Sequence, residues 1–216
     1  MLAWFYPPSN PFYIKLLSRR NTMNTEARLE SISPHLDATL RRVLSEDDVK
    51  ECRSIFEITI LNHGLKELDF ERDPETSYNP RVARIPLILI KESKRFSADS
   101  VKASILYSAG DSLLDDKAYR AIDNENIKHI LSKSKLNIEK LCALSQDSQL
   151  SIEIALSGQL DRLRHLHQAQ HPQRLIASEV IHNEAPYWIK LAKQCNSLLF
   201  PLINHWYTHT ALRILT

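Results

Sequence analysis

The side chains best suited to chemistry gather in one short run, LSGQLDRLRHLHQ. Asp161 and His165 stand four residues apart, so on a helix they share a face and bring a carboxylate and an imidazole toward one point. Such a pair could give two ligands to a divalent ion, although an Asp and a His at this spacing more often make a surface or capping contact. Arg162, Arg164, His165 and His167 could together grip a phosphate, with a solvated basic face as the plainer reading. A further acidic candidate is Asp111 in SAGDS, where a catalytic carboxylate competes with an ordinary turn residue. Cys52, Cys142 and Cys195 are odd in number, far apart and without a Cys-x-x-Cys pairing. They read as reduced thiols in small core positions rather than as a disulfide frame, a zinc knuckle or a nucleophile.

The elements that must hold these residues are helices. Only three glycines occur among 216 residues, where average usage of about 7% would place roughly fifteen, so tight hairpins and phosphate-cradling loops have little raw material. Ser33 followed by Pro34 reads as an N-cap and first-turn proline, with Leu36, Leu40 and Val43 at helical spacing behind it. Ser45 and Asp48 resemble a capping box ahead of Val49, Cys52, Ile55, Phe56, Ile60 and Leu61. Periodicity is lost over 65–80, a charged, proline-containing stretch that reads as a long loop and a candidate rim for a site. RVARIPLILIKES could be a buried strand, but Pro86 favours a helix with the proline in its first turn or at a kink. Further helices are expected over 98–107 and 124–132, and a long one over 149–168 carries the stripe Ile152, Leu156, Leu160 and Leu163. A last helical region over 186–215 should kink or break at Pro201.

Composition narrows the partners. Charged residues make up 25% of the chain and the net charge is +2, which gives no bulk electrostatic reason to expect nucleic acid or a membrane surface. No apolar run approaches the length of a membrane span, and a cytoplasmic protein is expected. Residues 1–22 read as an N-terminal extension upstream of the natural start at Met23, with a docking arm as the alternative. Residues 23–216 read as one domain, with no repeat, linker or low-complexity tract between them.

Three segments in order resemble the hydrolase domain of the RelA/SpoT family and its small metazoan SpoT-like relatives. ERDPETSYNPRVARI is similar to that family's Asp-, Pro- and Gly-rich turn leading to His-Pro and Val-Ala, with Tyr78, Asn79, Pro80, Val82 and Ala83 in the pattern and the histidine missing. KASILYSAGDS resembles the small-apolar helix that ends in His-Asp, with Tyr107 and Ser108 in their place and Asp111 where a glutamate falls. LSGQLDRLRHLHQ looks like the Asp-Lys-Leu-x-Asn-Leu helix and keeps its aspartate as Asp161, while Gly158 stands where a lysine is expected and His165 where an asparagine is. WIKLAKQ then resembles the family's closing helix, so the likeness covers about residues 39–212.

The resemblance implies an HD-domain-like, all-α helical bundle. The family's metal site needs two histidines and two aspartates, and one of those four survives here as Asp161. The expectation is therefore a degenerate domain related to ppGpp hydrolases that binds a guanosine nucleotide, another phosphorylated small molecule or a protein partner, a second copy of the chain among them. Tyr78, Asn79, Tyr107, Ser108, Arg162 and His165 would contact the ligand, Asp111 is the residual catalytic candidate, and Asp161 the residual metal ligand. No cofactor is expected. Without a metal, Asp161 should be held by an arginine or by backbone donors. Whether the chain is an enzyme stays open at this stage. One alternative is a working phosphohydrolase with Mn²⁺ held by unaligned residues such as His63, His129 or His165; another is a helical interaction module using its aromatic-rich ends.

Overall fold

Helix starts follow local hydrogen-bond chemistry. The Ser33 hydroxyl accepts from the Leu36 amide and Pro34 fills the first helical position. Ser45 accepts from the Asp48 amide at 3.2 Å. Ser97 and Ser100 form a reciprocal capping box, and the Asn124 and Asn137 side chains accept from amides of the turns they open. Each of these satisfies donors that a helix start leaves unpaired.

The computed structural model describes residues 33–63, 81–108, 122–144, 148–166 and 171–214. Among them the elements are α1 (Pro34–Val43), α2 (Glu46–His63), α3 (Arg81–Ile88) continuing into a π-helical turn (Leu89–Ser93), α4 (Ala98–Tyr107), α5 (Glu125–Ser134), α6 (Ile138–Cys142), α7 (Gln149–His165), α8 (His171–Gln194) and α9 (Phe200–Ile214). The protein is an all-α bundle. No strand occurs among the described residues, and no described helix is long and apolar enough to cross a membrane. The expected extension at 1–22, the loop at 65–80, Tyr78, Asn79, Asp111, His167 and the side chain of His63 lie outside the described residues.

Pro86 lies inside α3, and the helix widens directly after it. A proline withdraws one amide and crowds the preceding turn. The chain closes the π turn with a bond from the Lys94 amide to the Leu89 carbonyl, and Lys94 then takes a left-handed φ of 57°. The second departure from sequence expectation is at the C-terminal side. A helix expected to begin near Pro186 begins at His171 and carries Pro186 at an exposed position in its interior. The break falls at residues 195–199 with Asn196 left-handed at φ 47°, and Pro201 sits in the first turn of α9. The short α6, with no long apolar stripe, was not legible beforehand.

Side chains segregate into two apolar clusters. Leu36, Phe56, Ala83, Leu106 and Leu131 represent the first, built from α1 to α5. Leu141, Leu160, Leu163, Trp188, Leu191 and Ile203 represent the second, built from α6 to α9. Helix α7 serves both, giving Ile154 to the first and Ile152, Ala155 and Leu156 to the second, while α3 sends Ile88 across to the second. The α3 and α7 helices pack on each other, so polar residues on their facing sides lie at the seam between the clusters.

Candidate functional site

Asp161 lies on that seam with 1% of its surface exposed. A buried carboxylate needs partners, and α3 supplies one. Arg84 donates from Nε to Oδ1 at 2.7 Å and from Nη2 to Oδ2 at 3.2 Å, a two-point grip that a planar guanidinium makes well. His165, one turn further along α7, places Nδ1 2.8 Å from the Asp161 carbonyl and 3.2 Å from Oδ1. Arg81 adds a second guanidinium at 3.9 Å from Oδ2. Burial pushes the Asp161 carboxyl upward, but the hydrogen bonds from His165 and Arg84 outweigh it and hold the group below the usual aspartate value.

Beside the pair lies a shallow cleft of about 170 Å³, bordered by Arg84, Leu87, Lys91, Glu92, Arg164 and His165. Arg164 is itself bound two-pronged to Glu92, with both nitrogen-to-oxygen distances 2.7 Å. The cleft therefore has a basic rim whose guanidiniums are already oriented by carboxylates, with exposed Lys91 beside them.

The remaining sequence candidates divide. His165 joins Asp161 as expected from the one-turn spacing. Arg162 does not line the cleft; it lies on the α9 side, where its charge bears on the Tyr207 phenol. The Ser108 hydroxyl is turned into its own helix and donates to the Ser104 carbonyl at 3.0 Å. Tyr107 is half-buried against the first cluster, and its ring fills the space over Gly158: a methyl group there would come within 2.5 Å of Tyr107 Cε1. The tyrosine at 107 and the glycine at 158 are thus a single packing arrangement, because the larger side chain on α4 needs the missing one on α7. His129 is exposed on α5. Cys52 is buried, and burial pushes its thiol up to about 12, which suits a core residue and not a nucleophile.

Tested against a Mn²⁺ or Zn²⁺ site, these residues do not fit. Both Asp161 oxygens are engaged by a guanidinium, and no group of three or more His, Cys, Asp and Glu that could hold a metal occurs among the described residues. Sequence reasoning missed Arg84, which was visible only as a lone charge inside the apolar run VARIPLILI. It also missed Glu153, a lone charge inside SIEIALSG. Compared with protein-family models, with curated proteins and with solved structures, the chain finds no match in any of the three.

Proposed function

We propose that the protein is a degenerate HD-type domain, related to ppGpp hydrolases, that binds a phosphorylated small molecule and no longer hydrolyses it through a metal. One observation carries the reading. The aspartate that the resemblance would make a metal ligand is bonded on both oxygens to Arg84, so a fixed guanidinium supplies the positive charge that a divalent ion would supply in a working site. Arg84, Lys91, Arg164 and His165 surround a cleft large enough for a phosphate group, and Arg84 and Arg164 are held in place by carboxylates before any ligand arrives.

A direct test measures metal content, turnover and binding on one preparation. The expected result is no stoichiometric transition metal after incubation with Mn²⁺ and release of pyrophosphate from ppGpp no faster than in buffer. Calorimetric binding of guanosine nucleotides should weaken with Lys91→Ala and Arg164→Ala. One Mn²⁺ per chain together with Asp161-dependent turnover would replace this reading with that of an active phosphohydrolase. Absence of any nucleotide or phosphate binding would leave the interaction-module reading in its place.

A further inference from the structure

A second buried carboxylate lies two turns before Asp161 on α7 and belongs to no part of the cleft. Glu153 has none of its surface exposed. Its Oε2 accepts two hydroxyls, from Ser93 at 2.8 Å and from Ser197 at 2.7 Å. These two serines come from two corners: Ser93 ends the π turn beside left-handed Lys94, and Ser197 follows left-handed Asn196 between α8 and α9. Each serine oxygen also accepts a backbone amide two residues on, from Arg95 and from Leu199. One carboxylate oxygen therefore ties both corners to α7.

The other oxygen is different. Glu153 Oε1 is the buried side-chain polar atom without a hydrogen-bond partner among the described residues. Arg95 Nη1 stops 3.6 Å short of it because that nitrogen donates at 2.7 Å to the Cys195 carbonyl, which also accepts from Gln149 at 3.2 Å. The charged or titratable groups bearing on Glu153 are Arg95 from the first corner and the Cys195 thiol from the second. A fully buried carboxylate whose Oε1 accepts no hydrogen bond, and whose one nearby cation, Arg95, stands at 3.6 Å with its nitrogen spent on a carbonyl, is costly when ionised. Water reaches Oε1 if the α8–α9 corner lifts, a corner where Asn196 and Leu198 already face solvent on either side of the buried Ser197.

We propose that Glu153 is a proton-operated latch on the α8–α9 corner: ionised, it favours local opening that hydrates Oε1, and protonated, it keeps the corner shut. The opening releases Ser197 and frees the end of α9 from α7, in a region apart from the basic cleft. Burial, only partly offset by Ser197, Ser93 and Arg95, lifts the Glu153 carboxyl above the usual glutamate value.

Amide hydrogen exchange of the full chain, followed peptide by peptide from about pH 4 to 8 and corrected for intrinsic rates, reads this directly. Protection at residues 193–203 should fall as pH rises, tenfold for each unit by which Glu153 titrates above an exposed glutamate, and then level off. Peptides from α1 and α2 should show no such fall. Glu153→Gln should hold the corner at the wild-type acid-side protection across the whole range. A flat wild-type profile overturns the proposal, whether or not the variant folds. A fall that survives Glu153→Gln assigns the titration to another group and overturns it equally.

Discussion

Asp161 and Glu153 occupy the same face region of one helix, two turns apart, and are equally hidden from water, yet their surroundings push them in opposite directions. The difference lies in how each arginine arrives. Arg84 stands on helix α3, which packs along α7, and its Nε and Nη2 each land on an Asp161 carboxylate oxygen. Arg95 follows the left-handed corner after the π turn and spends its near nitrogen on the Cys195 carbonyl. Burial costs both carboxylates the same kind of desolvation; a contact at 2.7 Å offsets it for Asp161, and a gap of 3.6 Å does not for Glu153. The first is a finished structural joint at the mouth of the cleft, and the second is a joint left partly unmade.

The largest effect that could break this contrast is expected at the finished joint. Asp161→Ala leaves Arg84 facing an apolar seam and should cost about 3–5 kcal/mol in urea unfolding, with no change in any turnover. Replacing both partners together, Asp161→Leu with Arg84→Leu, should recover most of that loss, since an apolar pair of similar volume suits the seam. If the double variant is as unstable as the single one, the ion pair does more than satisfy a buried charge.

Next in size is the packing between the two carboxylates. A helical Gly→Ala change ordinarily gains about 0.5–1 kcal/mol, but at Gly158 the added methyl meets the Tyr107 ring. Gly158→Ala should therefore destabilise by about 1 kcal/mol or more, and the sign should reverse in a Tyr107→Ala background. Additive effects in that double-mutant cycle would show that the two positions are not one arrangement.

At the unfinished joint the expected change has the other sign. Glu153→Gln keeps an oxygen for Ser93 and Ser197 while removing a poorly paired charge, so at pH 7 it should be neutral or stabilising by about 1 kcal/mol. The pH dependence sharpens the comparison. Asp161 titrates below an unfolded aspartate, so its contribution is complete above about pH 4 and is lost as pH falls through its folded value. Glu153 titrates above an unfolded glutamate, so its cost is absent below about pH 4.3 and grows until the pH passes its folded value. Unfolding midpoints measured across that range should fall less steeply on the acid side with Asp161→Asn and lose their opposing slope with Glu153→Gln. The smallest effect belongs to the cleft rim: Arg164→Ala breaks a part-exposed pair with Glu92 and should cost no more than about 1 kcal/mol of stability while weakening anion binding.

Much of the helical layout was legible from residues alone. The Ser33 cap, the Ser45 start, the helix over 98–107 and the buried stripe of α7 depend on neighbours within a few positions, and the structure has them where those neighbours place them. The pairing of Asp161 with His165 was legible for the same reason, a four-residue spacing on one helix. The extension of α8 back to His171 was not, because Pro186 is a strong local stop signal, yet the helix carries it at an exposed position in its interior.

The partners that define the chemistry lie far apart in the chain. Arg84 reaches Asp161 across 77 residues, Ser93 reaches Glu153 across 60 and Ser197 across 44. By itself the sequence determined that the chain would be helical, where most helices begin, and that an aspartate and a histidine would share a face. Tertiary packing decided that this aspartate meets a guanidinium, that a tyrosine takes the room left by a glycine, and that one buried glutamate is left with an oxygen unpaired. Helix starts and faces depend on hydrogen bonds and periodicity among near neighbours, whereas the protonation and pairing of a buried carboxylate depend on which distant side chains the two apolar clusters press against it.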